Sequence, residues 1–322
     1  MSSGLLVTGG TGFLGRALLQ KLLVSGRAPL IAAVRRNKIN LPAEVMVEYV
    51  GELSSNTDWT NCLQGVGVVI HSASRAQAMK DEIGDHLLDY RKVNLQGTLN
   101  LAEQAVKAGV RRFVYISSIK VNGEQTASNI PFHPEDIPAP ENAYAISKLE
   151  SELGLLALAR NTGLEVVIIR PTLVYGPGVK GNFASMLGWV RKGIPLPLGA
   201  VNNTRSLVAL DNLVDFIDLC SNPERSPLAA NEVFLISDGE DVSTTELIRK
   251  VANAYKVATR LLPIPVLCIQ TTARLLGKRA VVDRLLGSLA VDSSKARDLL
   301  GWKPVVSMNE QLKLMALYDT LS

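Results

Sequence analysis

Short apolar runs, each without a charged or amide side chain, mark the first half of the chain. They are Leu5–Val7, Leu30–Val34, Val66–Ile70, Phe113–Ile116 and Val166–Ile169. Continuous apolar runs of this length are typical of parallel strands that are buried on both faces of a sheet. Polar-faced segments of helical period lie between them, so the pattern predicts right-handed strand–helix–strand crossovers and a doubly wound parallel sheet.

Two long segments between these runs follow the helical period. The first extends from Phe13 to Leu23, and the second extends from Asp81 to Ala108 as one long helix. Both repeat apolar residues at intervals of three or four, which places those residues on one helix face. A third strand is expected before Glu52, which completes the alternation of the first half.

The local composition of the chain changes after about Pro171, where proline and glycine become frequent. Short helices are predicted near residues 182–192, 211–220, 243–255, 264–276 and 308–319. We therefore predict an α/β fold in two parts, with a main domain at 1–170 and a smaller α/β region at 171–322. Strands of the second part can still rejoin the main sheet, which leaves this boundary open.

Composition excludes several classes of protein. The 322 residues include 34 Lys+Arg and 30 Asp+Glu, so the net charge is 34 − 30 = +4, too small and too scattered to favour nucleic acid. The three cysteines and three histidines show no spacing typical of a metal site or a disulfide framework. The same spacings predict no metal, and cysteines without a disulfide framework favour a reducing, cytoplasmic location. No apolar stretch reaches about 18 residues, so we expect no membrane span.

A glycine-rich loop follows the first strand and opens the first helix. It reads TGGTGFLG at residues 8–15 and contains the spacing Gly10-x-Gly12-x-x-Gly15. Glycine allows the backbone to approach a pyrophosphate, which then lies at the positive end of the helix. We therefore predict that this domain binds a dinucleotide through Gly9, Thr11, Gly12, Phe13, Leu14 and Gly15.

The second strand ends in Arg35 and Arg36, where proteins that bind NAD place an acid for the ribose 2′-hydroxyl. Guanidinium groups match a 2′-phosphate, so the sequence favours NADP(H), with NAD(H) as the other possibility. Glu52 and Leu53, after the third strand, are expected to border the adenine.

A tyrosine and a lysine stand four residues apart at Tyr144 and Lys148, so in a helix they share one face. The ammonium would favour the phenolate and lower the pKa of the tyrosine from its usual value of about 10. Ser117 and Ser118 follow the fifth strand, at the sheet edge where open α/β folds bind ligands. A serine hydroxyl there can bind a carbonyl or alkoxide oxygen, so these residues together predict acid/base chemistry.

With these residues the chain resembles the extended short-chain dehydrogenase/reductase superfamily and its NAD(P)-dependent nucleotide-sugar epimerase/dehydratase family. The resemblance covers nearly the whole chain. It rests on TGGTGFLG at 8–15, HSAS at 71–74, NLQGTLNL at 94–101, ISS at 116–118, YAISK at 144–148 and RPTLVYGPG at 170–178.

The resemblance implies a role for each matching residue. Tyr144 is the acid/base, Lys148 orients the nicotinamide ribose and tunes the tyrosine, and Ser118 binds the substrate oxygen. It also implies that Tyr144 and Lys148 touch the cofactor. Further positions expected to line or brace the cofactor pocket are Ala73, Asn94, Ser117, Pro171 and Leu173.

The same resemblance implies a nucleotide-sugar substrate, with Asn182, Arg205 and Arg284 at its diphosphate. Lys120 and Asn122 are the expected sugar contacts. The chain departs from the usual family pattern at Ser206 and Ser288, where acids are common, and it lacks the tyrosine that 4-epimerases often carry near position 122.

These departures resemble a branch of UDP-2-acetamido-2,6-dideoxy-4-ketohexose 4-reductases of O-antigen synthesis. The leading hypothesis is therefore reduction of the C4 ketone of a UDP-linked 4-keto-6-deoxy-N-acetylhexosamine by NADPH, forming UDP-FucNAc or UDP-QuiNAc. One alternative is a UDP-sugar 4-epimerase that retains NAD, and another is a non-catalytic NADP(H)-binding regulator. The resemblance also implies a homodimer through helices near 85–108 and 142–160.

Overall fold

The central feature of the fold is a parallel sheet of seven strands. The structure, a computed structural model, describes residues 4–27, 29–36, 41–75, 83–127, 130–275, 282 and 285–321. The strand order is β3-β2-β1-β4-β5-β6-β9, and every neighbouring pair is parallel. The strands are β1 (Gly4–Thr8), β2 (Leu30–Val34), β3 (Val45–Tyr49), β4 (Val66–His71), β5 (Arg112–Ile116), β6 (Glu165–Pro171) and β9 (Val233–Ile236).

Burial on both faces explains the apolar runs. Side chains alternate between two apolar clusters, so that Val7 and Val114 lie in one cluster while Leu6 and Phe113 lie in the other. All five residues of β1 are buried, as are all five of β2 and of β5. The predicted α/β fold with a doubly wound Rossmann sheet is therefore confirmed.

Helices cover both faces of the sheet and build the C-terminal region. They are α1 (Phe13–Val24), α2 (Ile83–Tyr90), α3 (Gly97–Lys107), α4 (Ala143–Thr162), α5 (Gly181–Arg191), α6 (Leu210–Cys220), α7 (Thr244–Ala254), α8 (Val266–Leu275), α9 (Ser294–Leu300) and α10 (Met308–Leu321). A π-helical segment, Arg91–Gln96, joins α2 to α3. The single helix predicted over 81–108 is therefore three segments, and the short helix α9 was not predicted.

The second part of the chain contributes to two sheets. β9 pairs with β6 and so extends the main sheet. A smaller sheet has the order β10-β8-β7, with β7 (Leu173–Tyr175), β8 (Arg205–Ala209) and β10 (Asp241–Val242). Because β9 rejoins the main sheet, the division at 170/171 does not separate two sheets, and the domain boundary stays a prediction.

Membrane-spanning helices and clusters of metal ligands are both absent from the described residues. No helix in this part of the chain combines the length and the apolar character needed to cross a membrane. The same residues contain no group of three or more His, Cys, Asp and Glu side chains close enough to hold a metal ion.

Candidate active site

The glycine loop lies at the carboxyl edge of β1, in close contact with the end of β4. Gly9 has a φ of +75°, and a Cβ atom there would lie 2.7 Å from Ser72 Oγ and 2.8 Å from the backbone nitrogen of Ala73. A Cβ atom at Gly15 would lie only 2.1 Å from the carbonyl oxygen of Gly9. The loop therefore folds back on the first turn of α1 so closely that only glycine fits at both positions.

The start of α1 has the properties of an anion site. Among the described residues, no side chain caps the helix at Gly12, and its first turn carries no acidic residue. The backbone N–H groups of a first helical turn have no partner within the helix and carry partial positive charge. The turn begins with Phe13 and Leu14, and Thr11 precedes it in the loop. The loop and the helix start therefore fit the pyrophosphate of a dinucleotide.

Side-chain hydrogen bonds hold the ends of β1 and β4 together beneath the loop. His71 Nδ1 lies 2.7 Å from Thr8 Oγ1, and its Nε2 lies 2.9 Å from Thr98 Oγ1. The ring is fully buried. Burial, together with the charge of Lys148, lowers the pKa of His71 to about 3. His71 is therefore a neutral, packed residue.

Asn94 connects the loop after β4 to α4. It lies in the π-helical segment, and its Oδ1 accepts a hydrogen bond of 2.8 Å from the backbone nitrogen of Arg75. Its Nδ2 donates to Ser147 Oγ at 3.0 Å, and its carbonyl accepts from Ser151 Oγ at 2.8 Å. The structure thus places Asn94 as a brace, while Ala73 donates its backbone N–H to Thr8 Oγ1 at 3.1 Å.

The ends of β2 and β3 lie side by side at the position expected for the adenosine. Arg35 Nη1 is 3.5 Å from Glu52 Oε2, and both side chains are mostly exposed. Leu53 is buried and lies against Gly97, where a Cβ atom would be 2.6 Å from Leu53 Cγ. The arginine that favoured a 2′-phosphate in the sequence is therefore already paired with a carboxylate.

Tyr144 and Lys148 lie on the face of α4 that meets the end of β5. The helix begins at Asn142, whose Oδ1 accepts a hydrogen bond of 2.9 Å from Ala145 N. Lys148 is 2% exposed, and its Nζ donates to the carbonyl of Ile116 at 2.8 Å. The same atom lies 4.6 Å from the ring centre of Tyr115 and 6.0 Å from that of Tyr144.

Burial dominates the proton affinities of this pair. It raises the pKa of Tyr144 to about 12, although a hydrogen bond with Ser118 opposes the rise. It lowers the pKa of Lys148 to about 7, with the charge of Glu152 opposing the fall. The expected lowering of the tyrosine pKa by Lys148 is therefore not seen, because desolvation dominates and the ammonium is directed to the carbonyl of Ile116.

The two serines after β5 have different surroundings. The hydroxyl of Ser118 lies close enough to Tyr144 to lower the tyrosine pKa, and its Oγ accepts a hydrogen bond from Lys120 N at 3.3 Å. Ser117 is buried, and its hydroxyl donates to the carboxylate of Glu152. Ser118 is thus the serine beside the tyrosine, and its role at the substrate oxygen stays a prediction. Pro171 is buried at the end of β6, while Leu173, at the start of β7, is 44% exposed.

Glu152 and Arg170 are buried residues at the site that the sequence reading missed. Arg170 Nη2 lies 2.5 Å from Glu152 Oε2, and its Nη1 donates to Asn122 Oδ1 at 2.9 Å. Asn122 also donates to the carbonyl of His133 at 3.1 Å and is 2% exposed. This placement does not support the prediction that Asn122 contacts a sugar. Glu152 stands four residues after Lys148 in the sequence, and this spacing indicates that the two share a helix face.

The residues expected at the substrate lie on separate elements. Asn182 is exposed in the first turn of α5. Arg205 begins β8 and donates from Nη1 to the carbonyl of Gly287 at 3.0 Å. Lys120 pairs with Glu124 at 3.0 Å. Arg284 lies outside the described residues, so its expected role stays a prediction.

Residues 5–233 match the sequence profile of the NAD dependent epimerase/dehydratase family. The chain belongs to this family. Membership agrees with the glycine loop, the sheet and the Tyr144–Lys148 pair described above. The resemblance to this family drawn from the sequence is thus confirmed at the family level.

Relatives within the family include epimerases of UDP-sugars. The chain is 48% identical to a UDP-glucose 4-epimerase of Vibrio cholerae over 98% of this chain and 95% of the relative. Its structure is similar to a UDP-glucose 4-epimerase of Thermotoga maritima with UDP-glucose, at a TM-score of 0.75 and 25% identity over 99% and 100% of the two chains. It is also similar to MoeE5 in complex with UDP-glucuronic acid and NAD, at 0.76 and 25% over 99% and 99%.

These relatives correct the leading hypothesis of the sequence analysis. Reduction of a UDP-linked 4-keto-6-deoxy-N-acetylhexosamine is wrong as the main function, since the relative at 48% identity is a UDP-glucose 4-epimerase. The solved structure with UDP-glucose is of the same kind. The link to O-antigen synthesis has no support in these relatives. The departures at Ser206 and Ser288 therefore do not mark a reductase.

Proposed function

We propose that this protein is a UDP-sugar 4-epimerase, with UDP-glucose and UDP-galactose as the first pair to test. The observation that carries the proposal is the hydroxyl of Ser118 beside Tyr144, with Lys148 on the same helix face and bonded to the carbonyl of Ile116. The relative at 48% identity supports C4 epimerisation as the reaction class. A non-catalytic dinucleotide-binding regulator would have no use for these three residues together.

The side chains of the site act on the oxygen at C4 of the sugar. When bound, an oxidised nicotinamide supplies a hydride acceptor and a positive charge. Tyr144 takes the proton of the C4 hydroxyl, and Ser118 donates a hydrogen bond to the same oxygen. To act as this base Tyr144 must be a tyrosinate, which that positive charge and the ammonium of Lys148 would favour against the effect of burial. After the 4-keto sugar turns in the site, Tyr144 returns the proton to the oxygen on the opposite side of the ring.

The proposal is tested by incubating the purified protein with UDP-galactose and no added dinucleotide. The anomeric proton signals in NMR spectra should show UDP-glucose forming until the two sugars reach equilibrium, with no net change in absorbance of a reduced nicotinamide. No conversion of UDP-galactose, UDP-N-acetylgalactosamine or UDP-glucuronic acid would reject the epimerase.

We infer that the resident cofactor is NAD⁺, because an epimerase returns the hydride it removes and Arg35 is paired with Glu52. Protein denatured after purification should release mainly NAD⁺. Arg35→Ala and Arg36→Ala should each change the NAD⁺ dissociation constant less than about threefold, as exposed charges contribute little. Release of NADP⁺, with a loss of NADP⁺ affinity of tenfold or more in either variant, would restore the preference for NADP(H).

We propose that Asn182 and Arg205 hold the diphosphate of the substrate, since an uncapped helix start and a guanidinium both favour phosphate. Arg205→Ala should raise KM for the UDP-sugar about 10- to 100-fold with kcat nearly unchanged, the usual effect of losing a charged hydrogen bond. Arg297→Ala, on α9 and paired with Asp298, is the matched control. A wild-type KM in Arg205→Ala, measured by initial rates, would contradict this role.

A homodimer and a cytoplasmic location stay predictions. For the dimer, the exposed apolar side chains Leu88 on α2 and Leu153 on α4 support an interface between these helices, being 80% and 58% exposed.

A further inference from the structure

A buried ion pair lies one helical turn beyond Lys148 and has no part in the chemistry above. Glu152 is 2% exposed and Arg170 is 4% exposed. The guanidinium grips the carboxylate through two nitrogens, with Nε donating at 3.0 and 3.2 Å and Nη2 at 2.5 Å. Removing two charges from water is costly, and such pairs often stabilise a fold no better than apolar residues would. Its place beside the site therefore suggests a role in function.

The ion pair is part of a ladder between α4 and the end of β5. From three successive turns of α4, Tyr144 lies beside Ser118, Lys148 donates to the carbonyl of Ile116, and Glu152 accepts from Ser117. The helix thus contacts three consecutive residues. A displacement of Glu152 would shift the segment that carries both the carbonyl bound to Lys148 and the hydroxyl beside Tyr144.

Arg170 extends the ladder to the opposite side of the site. It is the penultimate residue of β6 and follows Ile169, whose carbonyl accepts a hydrogen bond of 2.7 Å from the backbone nitrogen of Ser117. Through Nη1 it holds Asn122, which in turn donates to the carbonyl of His133. The pair therefore connects α4 with β6 and with the turn that follows Ser118.

The groups around the ammonium of Lys148 make Glu152 electrostatically important. The rings of Tyr115 on β5 and Tyr144 on α4 face the ammonium, and both phenols are kept neutral because burial raises their pKa. His71 on β4 is neutral as well. Among these described neighbours, the carboxylate of Glu152 is the group whose charge favours the protonated lysine.

We propose that Glu152, held by Arg170, is a positioning residue that keeps Lys148 protonated and keeps residues 116–118 in register with α4. Glu152 touches neither sugar nor cofactor and acts through Lys148 and Ser117. The inference rests on the proposed function for its kinetic part, whereas its electrostatic part concerns Lys148 alone.

The test is the substitution Glu152→Gln in the cofactor-loaded protein, which keeps the shape of the side chain and removes its charge. The titration of Lys148, followed by NMR of ¹³Cε-labelled lysine and assigned with Lys148→Arg, should move to lower pH by about one unit or more. The alkaline limb of kcat should move in the same direction, with KM changed less than about threefold. Above neutral pH, kcat should fall about tenfold, because one pH unit changes the protonated fraction by that factor.

Glu150→Gln is the matched control on the same helix. Glu150 pairs with Arg91 at a partly exposed position. Lys148 should therefore titrate at the same pH in this variant as in the wild type. An unchanged titration of Lys148 in Glu152→Gln, or an equal displacement in Glu150→Gln, would overturn the proposal.

A second variant separates positioning from stability, since Glu152→Gln leaves Arg170 buried without its partner. The double variant E152Q/R170Q removes both charges and should regain thermal stability, yet its Lys148 titration and kcat should stay displaced. Return of both to wild-type values would show that the pair only stabilises the fold. The titration needs no sugar, so a wild-type protein without turnover would count against the proposed function and not against this inference.

Discussion

Replacing Tyr144 with phenylalanine should lower kcat for the UDP-sugar by about 10²- to 10⁴-fold, the usual contribution of a general acid/base. The ring, which packs edge-on against Tyr90 at 6.1 Å, would remain. Only the hydroxyl beside Ser118 is lost. Because that hydroxyl carries the proton to and from C4 in the proposed cycle, chemistry should fail while the pocket keeps its shape. Initial rates at saturating UDP-sugar measure the effect.

Bound dinucleotide and thermal stability should both be nearly unchanged in Tyr144→Phe. Tyr49→Phe makes the same chemical change at an exposed position on the edge strand β3, and it should turn over as fast as the wild type. A Tyr144→Phe enzyme that keeps more than about a tenth of wild-type kcat would remove this phenol from the mechanism.

Gly15→Ala should abolish tight binding of the dinucleotide and destabilise the protein by about 1–3 kcal/mol, the usual cost of overpacking. The added Cβ would lie 2.1 Å from the carbonyl of Gly9 and 2.7 Å from the Cα of Gly10. Both contacts are with backbone, which cannot rotate away. The loop must therefore move from the start of α1, and its N–H groups lose the arrangement that holds a pyrophosphate. Calorimetric titration with NAD⁺ and thermal unfolding measure the two effects.

Gly188→Ala provides the control for a glycine within a helix. A Cβ atom at Gly188 in α5 would meet no atom within 4 Å. Because alanine is the better helix former, this variant should gain about 0.5–1 kcal/mol of stability and bind NAD⁺ as the wild type does. Wild-type affinity for NAD⁺ in Gly15→Ala would show that the loop does not bind the pyrophosphate.

The main sheet was predictable from sequence because its strands are buried on both faces. A run such as Leu30–Val34 has no polar side to display, and the structure pairs it with strands on either edge. The edge strand β3 shows the limit of this signal. Only Val45 of its five residues is buried, so its apolar pattern is mixed and predicts a strand before Glu52 without its bounds.

The π-helical segment 91–96 could not be read from apolar spacing. An extra residue in one turn changes the period only locally, and the residues on either side keep helical spacing. Its consequence is the inward placement of Asn94, which is fully buried and bound to Ser147. The resemblance to a family indicated this residue, whereas the period of the chain alone did not.

Within the site, local spacing found Tyr144 and Lys148 but not the effect of desolvation on them. Four residues of separation predict a shared helix face, whatever surrounds it. The pKa values depend on burial by β4 and β5, which sequence does not display. For the same reason Asn122 looked available for a sugar, although Arg170 from β6 occupies its amide oxygen. Contacts between distant strands decide these roles.

The reaction class was the least predictable feature. A reductase and an epimerase use the same tyrosine, lysine and serine, and they differ in whether the cofactor leaves after each turnover. In the sequence, Arg35 and Arg36 favour an exchanging NADP(H). The ion pair between Arg35 and Glu52 weakens that inference, because a guanidinium next to a carboxylate is less available to a phosphate.

Epimerisation at C4 with return of the hydride to the same sugar is tested most directly by following the deuterium of UDP-[4-²H]galactose. A hydrogen bound to carbon does not exchange with water, so an enzyme that returns the hydride to the same sugar keeps the label at C4. A 4-epimerase with resident NAD⁺ should form UDP-[4-²H]glucose with full retention of deuterium, even when unlabelled dinucleotide is added in excess. Deuterium in the free dinucleotide, or a 4-keto sugar consumed against added NADPH with no interconversion of C4 epimers, would contradict it.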